Sequence, residues 1–396
     1  MEISKRLQAV SESQTLVMTK KARELAATGV SVINLSIGEP DFDTPAFIRD
    51  AAKQAMDDGW THYPPVAGYP ELRQAISAKF KRDNNLDYAP DQIVVSGGAK
   101  HSITNVIFSL INEGDEVIIP APYWVSYPEM VKMAGGVPVI LNSDITSDYT
   151  FSIEDLRKAI TPRTKILLYS SPCNPSGTVF SKDFLTEVAQ VVAEHNDMII
   201  ISDEIYELIQ YGRDHVSIGA LGLLKDRVVT VNGLSKGYAM TGWRIGYIGA
   251  PTWIAKAVEK LQGQFTSGTN SIAQRAAIEA INGSLSESEA MTATFEKRRS
   301  IIVDGLKNIP GIKPNMPDGA FYVFPDISYY FGKTHGDHTI SDATDLCLYL
   351  LQTAYVSTVS GAAFGNPECI RISYAASEGD LEIALANIAE ALAKLS

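Results

Sequence analysis

One stretch of the chain gathers residues able to do chemistry: Gly233-Leu-Ser-Lys-Gly-Tyr-Ala-Met-Thr-Gly-Trp-Arg-Ile-Gly246. It follows a β-branched run, Arg227–Val231. Lys236 is therefore expected just past the carboxyl end of a strand, where open α/β sheets place their ligands. Small and apolar neighbours strip water from an ammonium group, which lowers its pKa and yields a nucleophilic amine. Ser235 and Arg244 are spaced to hold an anion such as a phosphate. Read alone, the same stretch is equally a surface turn carrying two basic residues.

The elements that must position these residues alternate in type. A helix is expected from Pro45, with Thr44 as its N-cap, to about Asp58, and another from Pro70 to about Asp83. Short apolar runs follow at Ile93–Ser96, Glu116–Pro120, Val137–Leu141, Lys165–Ser170, Met198–Ser202 and Arg227–Val231, with helical segments between them. Runs apolar on both faces suit a mostly parallel sheet covered on both sides. The rhythm changes after about residue 285. A long charged helix, about Ser286 to Asn308, leads to Phe321–Phe324, a helix at Ala343–Gln352, strands near Tyr355–Val359 and Ile370–Tyr374, and a last helix to Lys394. The expected fold is α/β, with a large domain at 45–285, a smaller α+β domain at 286–396, and an N-terminal arm at 1–44 too short to fold alone.

Composition narrows the function. The 396 residues are 45% hydrophobic and 20% charged, as in ordinary globular proteins. A net charge of −12 disfavours binding to nucleic acid or to anionic membranes, and no apolar run reaches the ~18 residues of a membrane span. Cys173, Cys347 and Cys369 form no Cys-x-x-Cys pair, which fits a reducing, cytoplasmic setting without disulfides or a thiolate metal site. His335 and His338 bracket Asp337, but among Gly and Thr residues they read as a solvated loop, so no metal is expected. Glycine-rich dinucleotide and P-loop signatures are missing.

Further motifs stand in a fixed order: Gly38-Glu39-Pro40-Asp41-Phe42, Pro122-Tyr123-Trp124, Asn174-Pro175-Ser176-Gly177, Ser202-Asp203-Glu204-Ile205-Tyr206 and Arg371-Ile-Ser-Tyr374. With the Lys236 stretch, this ordered set resembles the class I aminotransferases, which have the fold type I of pyridoxal-phosphate-dependent transferases. Gly38 to Pro45 and Tyr123 to Pro128 resemble the bacterial-type aspartate subgroup, some members of which also accept prephenate. The resemblance implies pyridoxal 5'-phosphate as cofactor, joined to Lys236 as a Schiff base. It further implies that Asp203 pairs with the pyridine nitrogen, Asn174 and Tyr206 bond the ring oxygen, and Trp124 stacks on the ring. Ser235, Arg244, Gly98 and Ala99 would hold the phosphate, joined by Tyr63 from a neighbouring subunit, which makes the protein a homodimer with a shared active site. Arg371 and Gly38 would receive the substrate α-carboxylate, whose flat shape a guanidinium fork matches. Taken singly, these positions are also a helix N-cap at Asp203, a plain turn at Asn174, a core aromatic at Trp124 and a surface strand residue at Arg371.

The chain departs from that family's pattern at Gly233, where many relatives carry Ser, at Ser176 for Thr, and at Ala99-Lys100 where other subgroups use Gly-Thr. The bacterial subgroup binds the distal carboxylate with a Lys in this last turn and a hydroxyl on the N-terminal arm, positions matched by Lys100 and Thr15. Aspartate aminotransferase activity is thus implied: ping-pong exchange with 2-oxoglutarate, giving oxaloacetate and L-glutamate. The alternatives are an aromatic, alanine or kynurenine aminotransferase or a β-lyase on the same scaffold. A non-catalytic effector-binding domain would need a DNA-binding module, which neither the short arm nor the acidic balance supplies.

Overall fold

The computed structural model describes residues 2–224 and 226–396. Seven strands form the central sheet: β1 (Ile93–Ser96), β2 (Glu116–Pro120), β3 (Val137–Leu141), β4 (Thr164–Ser170), β5 (Ile199–Asp203), β6 (Val228–Gly233) and β7 (Gly246–Gly249). Their spatial order is β1-β7-β6-β5-β4-β2-β3. Strands β2 to β6 run parallel, whereas β7 is antiparallel to both β6 and β1. Two successive reversals leave β1 aligned with the parallel set, so Ser96, Pro120, Ser170, Asp203 and Gly233 all end at one edge of the sheet.

The sheet is mostly parallel, as the apolar runs implied, and its strands are buried on both faces. One face packs against the helices Ala99–Leu110, Tyr127–Met133 and Thr252–Phe265, and another core forms around the helix Lys182–Ala193. The helix Ala46–Asp57 begins after Pro45, not at a Thr44 cap. The Thr44 hydroxyl is spent on tertiary contacts, donating to the Ala239 carbonyl and accepting from Trp243 Nε1.

Beyond residue 285, a three-stranded antiparallel sheet has Ile370–Ser373 between Val359–Ser360 and Tyr322–Val323. The helices Ser286–Lys307 and Glu378–Leu392 pack together beside it, contributing to one core. The N-terminal helix Gln14–Ala26 joins that core through Met18 and Ala22, and Ile33–Asn34 pairs in parallel with Val356–Ser357. At its other end the arm reaches the large sheet's helices, where the Ser11 amide donates to Glu129 at 2.8 Å. The segment read as a solvated loop around Asp337 is a hairpin, Thr334–His335 against His338–Thr339, with both histidine rings edge-on to Tyr349. Among the described residues, no helix is long and apolar enough to cross a membrane.

Candidate active site

A cavity of about 310 Å³ opens at the carboxyl edge of the sheet. Residues from four strand ends line it: Ala99 and Lys100 after β1, Trp124 and Tyr127 after β2, Asn174 after β4, and Asp203 with Tyr206 at β5. Ser235, Lys236 and Arg244 enter from the turn after β6, Arg371 and Tyr322 from the smaller sheet, and Ser13, Thr15 and Gly38 from the arm. Apart from Tyr63, the residues singled out in the sequence therefore converge, Gly98 as the residue from which the helix Ala99–Leu110 springs. Tyr63 lies outside this lining and is 95% exposed.

Lys236 is set for amine chemistry. Its Nζ donates to the Gly38 carbonyl at 2.5 Å and lies 5.9 Å from the ring centres of both Tyr206 and Phe321. Burial pushes its pKa down to about 8, with Arg371 and Arg244 acting in the same direction and Glu39 and Asp203 opposing. Near neutral pH a useful fraction of the amine is then unprotonated.

Asp203, the last residue of β5, is buried. Tyr127 donates to Oδ2 at 2.7 Å and the Ile205 amide to Oδ1 at 3.3 Å. Burial pushes its carboxyl up to about 6, against the pull of those two donors. Asp203 thus lines the cavity while also accepting a backbone N–H of the chain that follows it.

Arg371 is 1% exposed. Its Nη1 donates to Asn174 Oδ1 at 2.9 Å and its Nη2 to the Ser36 carbonyl at 2.6 Å, while the guanidinium lies 4.5 Å from the Tyr322 ring centre and 5.0 Å from that of Phe364. Nε is buried with no partner among the described residues, an unmet donor of the kind a carboxylate ligand satisfies. The bond to Asn174 also orients that amide, committing Oδ1 to the arginine and leaving Nδ2 as its donor. A Cβ on Gly38 would stand 2.7 Å from the Tyr322 hydroxyl, so glycine is what fits beside the arginine.

At the other end, Gly98 has φ +94°, and a Cβ there would lie 2.3 Å from Arg244 Nη2. Glycine lets the guanidinium lie across the start of the helix Ala99–Leu110, held by the carbonyls of Thr241 and Gly97. A helix N-terminus, a guanidinium and the Ser235 hydroxyl make an anion cradle. Gly233 also has a steric cause, since a Cβ there would stand 2.8 Å from the Ile245 carbonyl. Lys100 Nζ sits 4.8 Å over the Trp124 ring, and burial and Arg244 lower its pKa.

Three residues escaped the sequence reading. Tyr322 bonds Tyr206 hydroxyl to hydroxyl at 2.8 Å, Tyr127 holds Asp203, and Ser36 holds Arg371 by its carbonyl. Only Tyr127 had a local signal, standing one helical turn after Trp124 and meeting its ring edge-on at 5.5 Å.

Pyridoxal 5'-phosphate needs an anion cradle, a carboxylate for its pyridine nitrogen, donors for its ring oxygen and an amine for its aldehyde. The cradle at Gly98, buried Asp203, the donors Asn174 and Tyr206, and Lys236 supply that set, so the residues fit the group.

A sheet of this order with a buried lysine at its carboxyl edge defines a pyridoxal-phosphate-dependent transferase of fold type I. Residues 30–388 match the family described as aminotransferase class I and II, and the chain belongs to it. It is 44% identical over 396 residues to an aspartate/prephenate aminotransferase of Nitrosomonas europaea, covering 99% of this chain and 100% of that one. Among solved structures, it superposes on an aspartate aminotransferase of Rhizobium meliloti with a TM-score of 0.97, 41% identity and full coverage of both chains. The aspartate aminotransferase of Thermus thermophilus with maleate gives a TM-score of 0.94 at 39% identity, covering 99% of this chain and 100% of that one.

Proposed function

We propose that this enzyme is an aspartate aminotransferase, moving the amino group of L-aspartate reversibly to 2-oxoglutarate to give oxaloacetate and L-glutamate, with prephenate as a further acceptor. The observation that carries the reading is one cavity lined by Lys236, by Arg371 and, besides the Arg244 assigned to the phosphate, by a further cation, Lys100. Two positive groups sharing a cavity with a nucleophilic amine suit a substrate with a carboxylate at each end. That a related protein was solved with maleate, a dicarboxylate, supports the same reading.

Pyridoxal 5'-phosphate, when bound, supplies an aldehyde that condenses with amines and a protonated ring that takes up the electrons of the Cα–H bond. Ser235, Arg244 and the helix start at Gly98 and Ala99 would hold its phosphate, Asp203 would keep its ring nitrogen protonated, Asn174 and Tyr206 would donate to its ring oxygen, and Trp124 would stack on the ring. Arg371 takes the substrate α-carboxylate beside Gly38, while Lys100 and the Thr15 hydroxyl take the distal one. Lys236 Nζ would carry the cofactor through its aldehyde and, when free, would act at the substrate Cα as base in one direction and as acid in the other.

We infer further that the protein works in the cytoplasm as a homodimer. The exposure of Tyr63, outside the cavity lining of its own chain, supports its reaching a phosphate in the partner subunit. Lys236→Ala tests the mechanism. It is expected to abolish turnover, a loss of at least about 10⁴-fold, while the phosphate contacts still bind the cofactor. Turnover within tenfold of the parent would refute the role given to Lys236.

A further inference from the structure

The helix Tyr127–Met133 begins with a tyrosine that is 1% exposed and touches two parts of the site at once. Its hydroxyl donates to Asp203 Oδ2 at 2.7 Å, and its ring meets Trp124 edge-on at 5.5 Å and 87°. We propose, on the reading that Asp203 grips the ring nitrogen of the cofactor, that Tyr127 is a positioning residue for that grip. Its hydroxyl fixes which carboxylate oxygen turns to the nitrogen and favours the ionised carboxylate.

The contacts of Asp203 make this role specific. Oδ1 accepts the Ile205 amide and Oδ2 the tyrosine hydroxyl, so both oxygens are tethered and the carboxylate plane is set. The two donors differ in strength, since the amide contact is long at 3.3 Å and the phenol contact short at 2.7 Å. A bond from a hydroxyl to a carboxylate favours the charged form, which burial at this strand end disfavours. Tyr127 is the largest of the influences that oppose burial at Asp203. Burial also holds the phenol well above its ordinary pKa, so it stays a donor over the working pH range. Without it, a protonated Asp203 would have no charge with which to hold a proton on the nitrogen. The contact with Trp124 adds a geometric link, because one side chain then sets both the ring that covers the cofactor and the carboxylate at its nitrogen.

The test compares the affinity of the apoprotein for pyridoxal 5'-phosphate and for its 1-deaza analogue, in which C–H replaces the ring nitrogen. In the parent, the nitrogen-bearing ligand should bind more tightly. Tyr127→Phe is expected to narrow that preference roughly tenfold or more and to leave the affinity for the deaza analogue within about threefold, because the other contacts are unchanged. In an Asp203→Asn background the same substitution should do nothing further to the ratio. An unchanged ratio, or two affinities falling together, would overturn the proposal by showing either no role or a merely structural one. Asp203→Asn leaving the parent's preference intact would overturn the reading of Asp203 itself, a separate outcome. If the phenylalanine variant fails to fold, 3-fluorotyrosine at position 127 keeps the packing and strengthens the donor. It should widen the preference, and a narrowed or unchanged one would count against Tyr127.

Discussion

Arg371→Lys separates the charge of the proposed carboxylate anchor from its shape. A guanidinium has five N–H donors. Two bind Asn174 Oδ1 and the Ser36 carbonyl, and three remain for a ligand, among them the partnerless Nε. A lysine keeps the positive charge but has three donors on one atom, too few to hold both protein groups and offer a parallel pair to a carboxylate. It also loses the flat packing between Tyr322 and Phe364. A hydrogen bond to a charged group is worth about 1.5–3 kcal/mol. Losing one or two of them costs about 1.5–6 kcal/mol, or roughly 10- to 25,000-fold in kcat/KM. Because every substrate carries an α-carboxylate, aspartate and alanine should suffer alike, whereas cofactor affinity should stay near that of the parent. Steady-state kinetics on both amino donors, with a cofactor titration of the apoprotein, measures this. A lysine variant within threefold of the parent, or one impaired toward aspartate alone, would refute the reasoning.

The other positions give distinct signatures. Lys100→Met should lower kcat/KM for aspartate by roughly 10- to 100-fold, one charged hydrogen bond's worth, and leave alanine within about threefold, as initial-rate kinetics will show. Gly246→Ala would place a Cβ 2.2 Å from the Ala99 amide nitrogen and 2.3 Å from the Gly98 carbonyl carbon, backbone atoms that cannot swing aside. A loss of about 1–3 kcal/mol in unfolding free energy is expected, with weakened cofactor binding, read by thermal unfolding and by titration. Behind β5, His215 meets Glu204 at 2.9 Å in a buried cluster with Glu207, Asn84 and Lys79, the ammonium of Lys79 resting on Glu207. Burial lowers the His215 pKa, but the carboxylates outweigh it and the net shift is upward. The stabilisation this brings is complete below the unfolded-state value of about 6.5 and is lost as pH rises through the higher folded-state value. Urea unfolding of the apoprotein against pH should show that slope, and His215→Gln should flatten it.

Much of the site was legible because each motif sits where a strand of the sheet ends, and there the backbone geometry restricts the residue type. Gly98 needs a positive φ, Asp203 closes an apolar strand, and Lys236 follows one. Strand β7 was not legible. Its four residues, Gly246 to Gly249, include two glycines, and pairing with β6 and β1 on either side is what holds it extended. Thr44 misled for a related reason: a threonine before proline fits a helix cap, yet its hydroxyl was claimed by Ala239 and Trp243, nearly 200 positions away. Tyr127 and Tyr322 were not singled out because only the folded chain brings their hydroxyls to Asp203 and Tyr206.

The most direct measurement is a single half-reaction. Cofactor-loaded protein is mixed separately with aspartate, alanine and phenylalanine, and the change in absorption of the bound cofactor is followed against concentration. Aspartate should convert the cofactor about 10- to 100-fold more efficiently than either monocarboxylate, since it alone engages both Arg371 and Lys100. Alanine or phenylalanine matching aspartate would contradict the dicarboxylate assignment, and no change with any of the three would contradict amino transfer at Lys236.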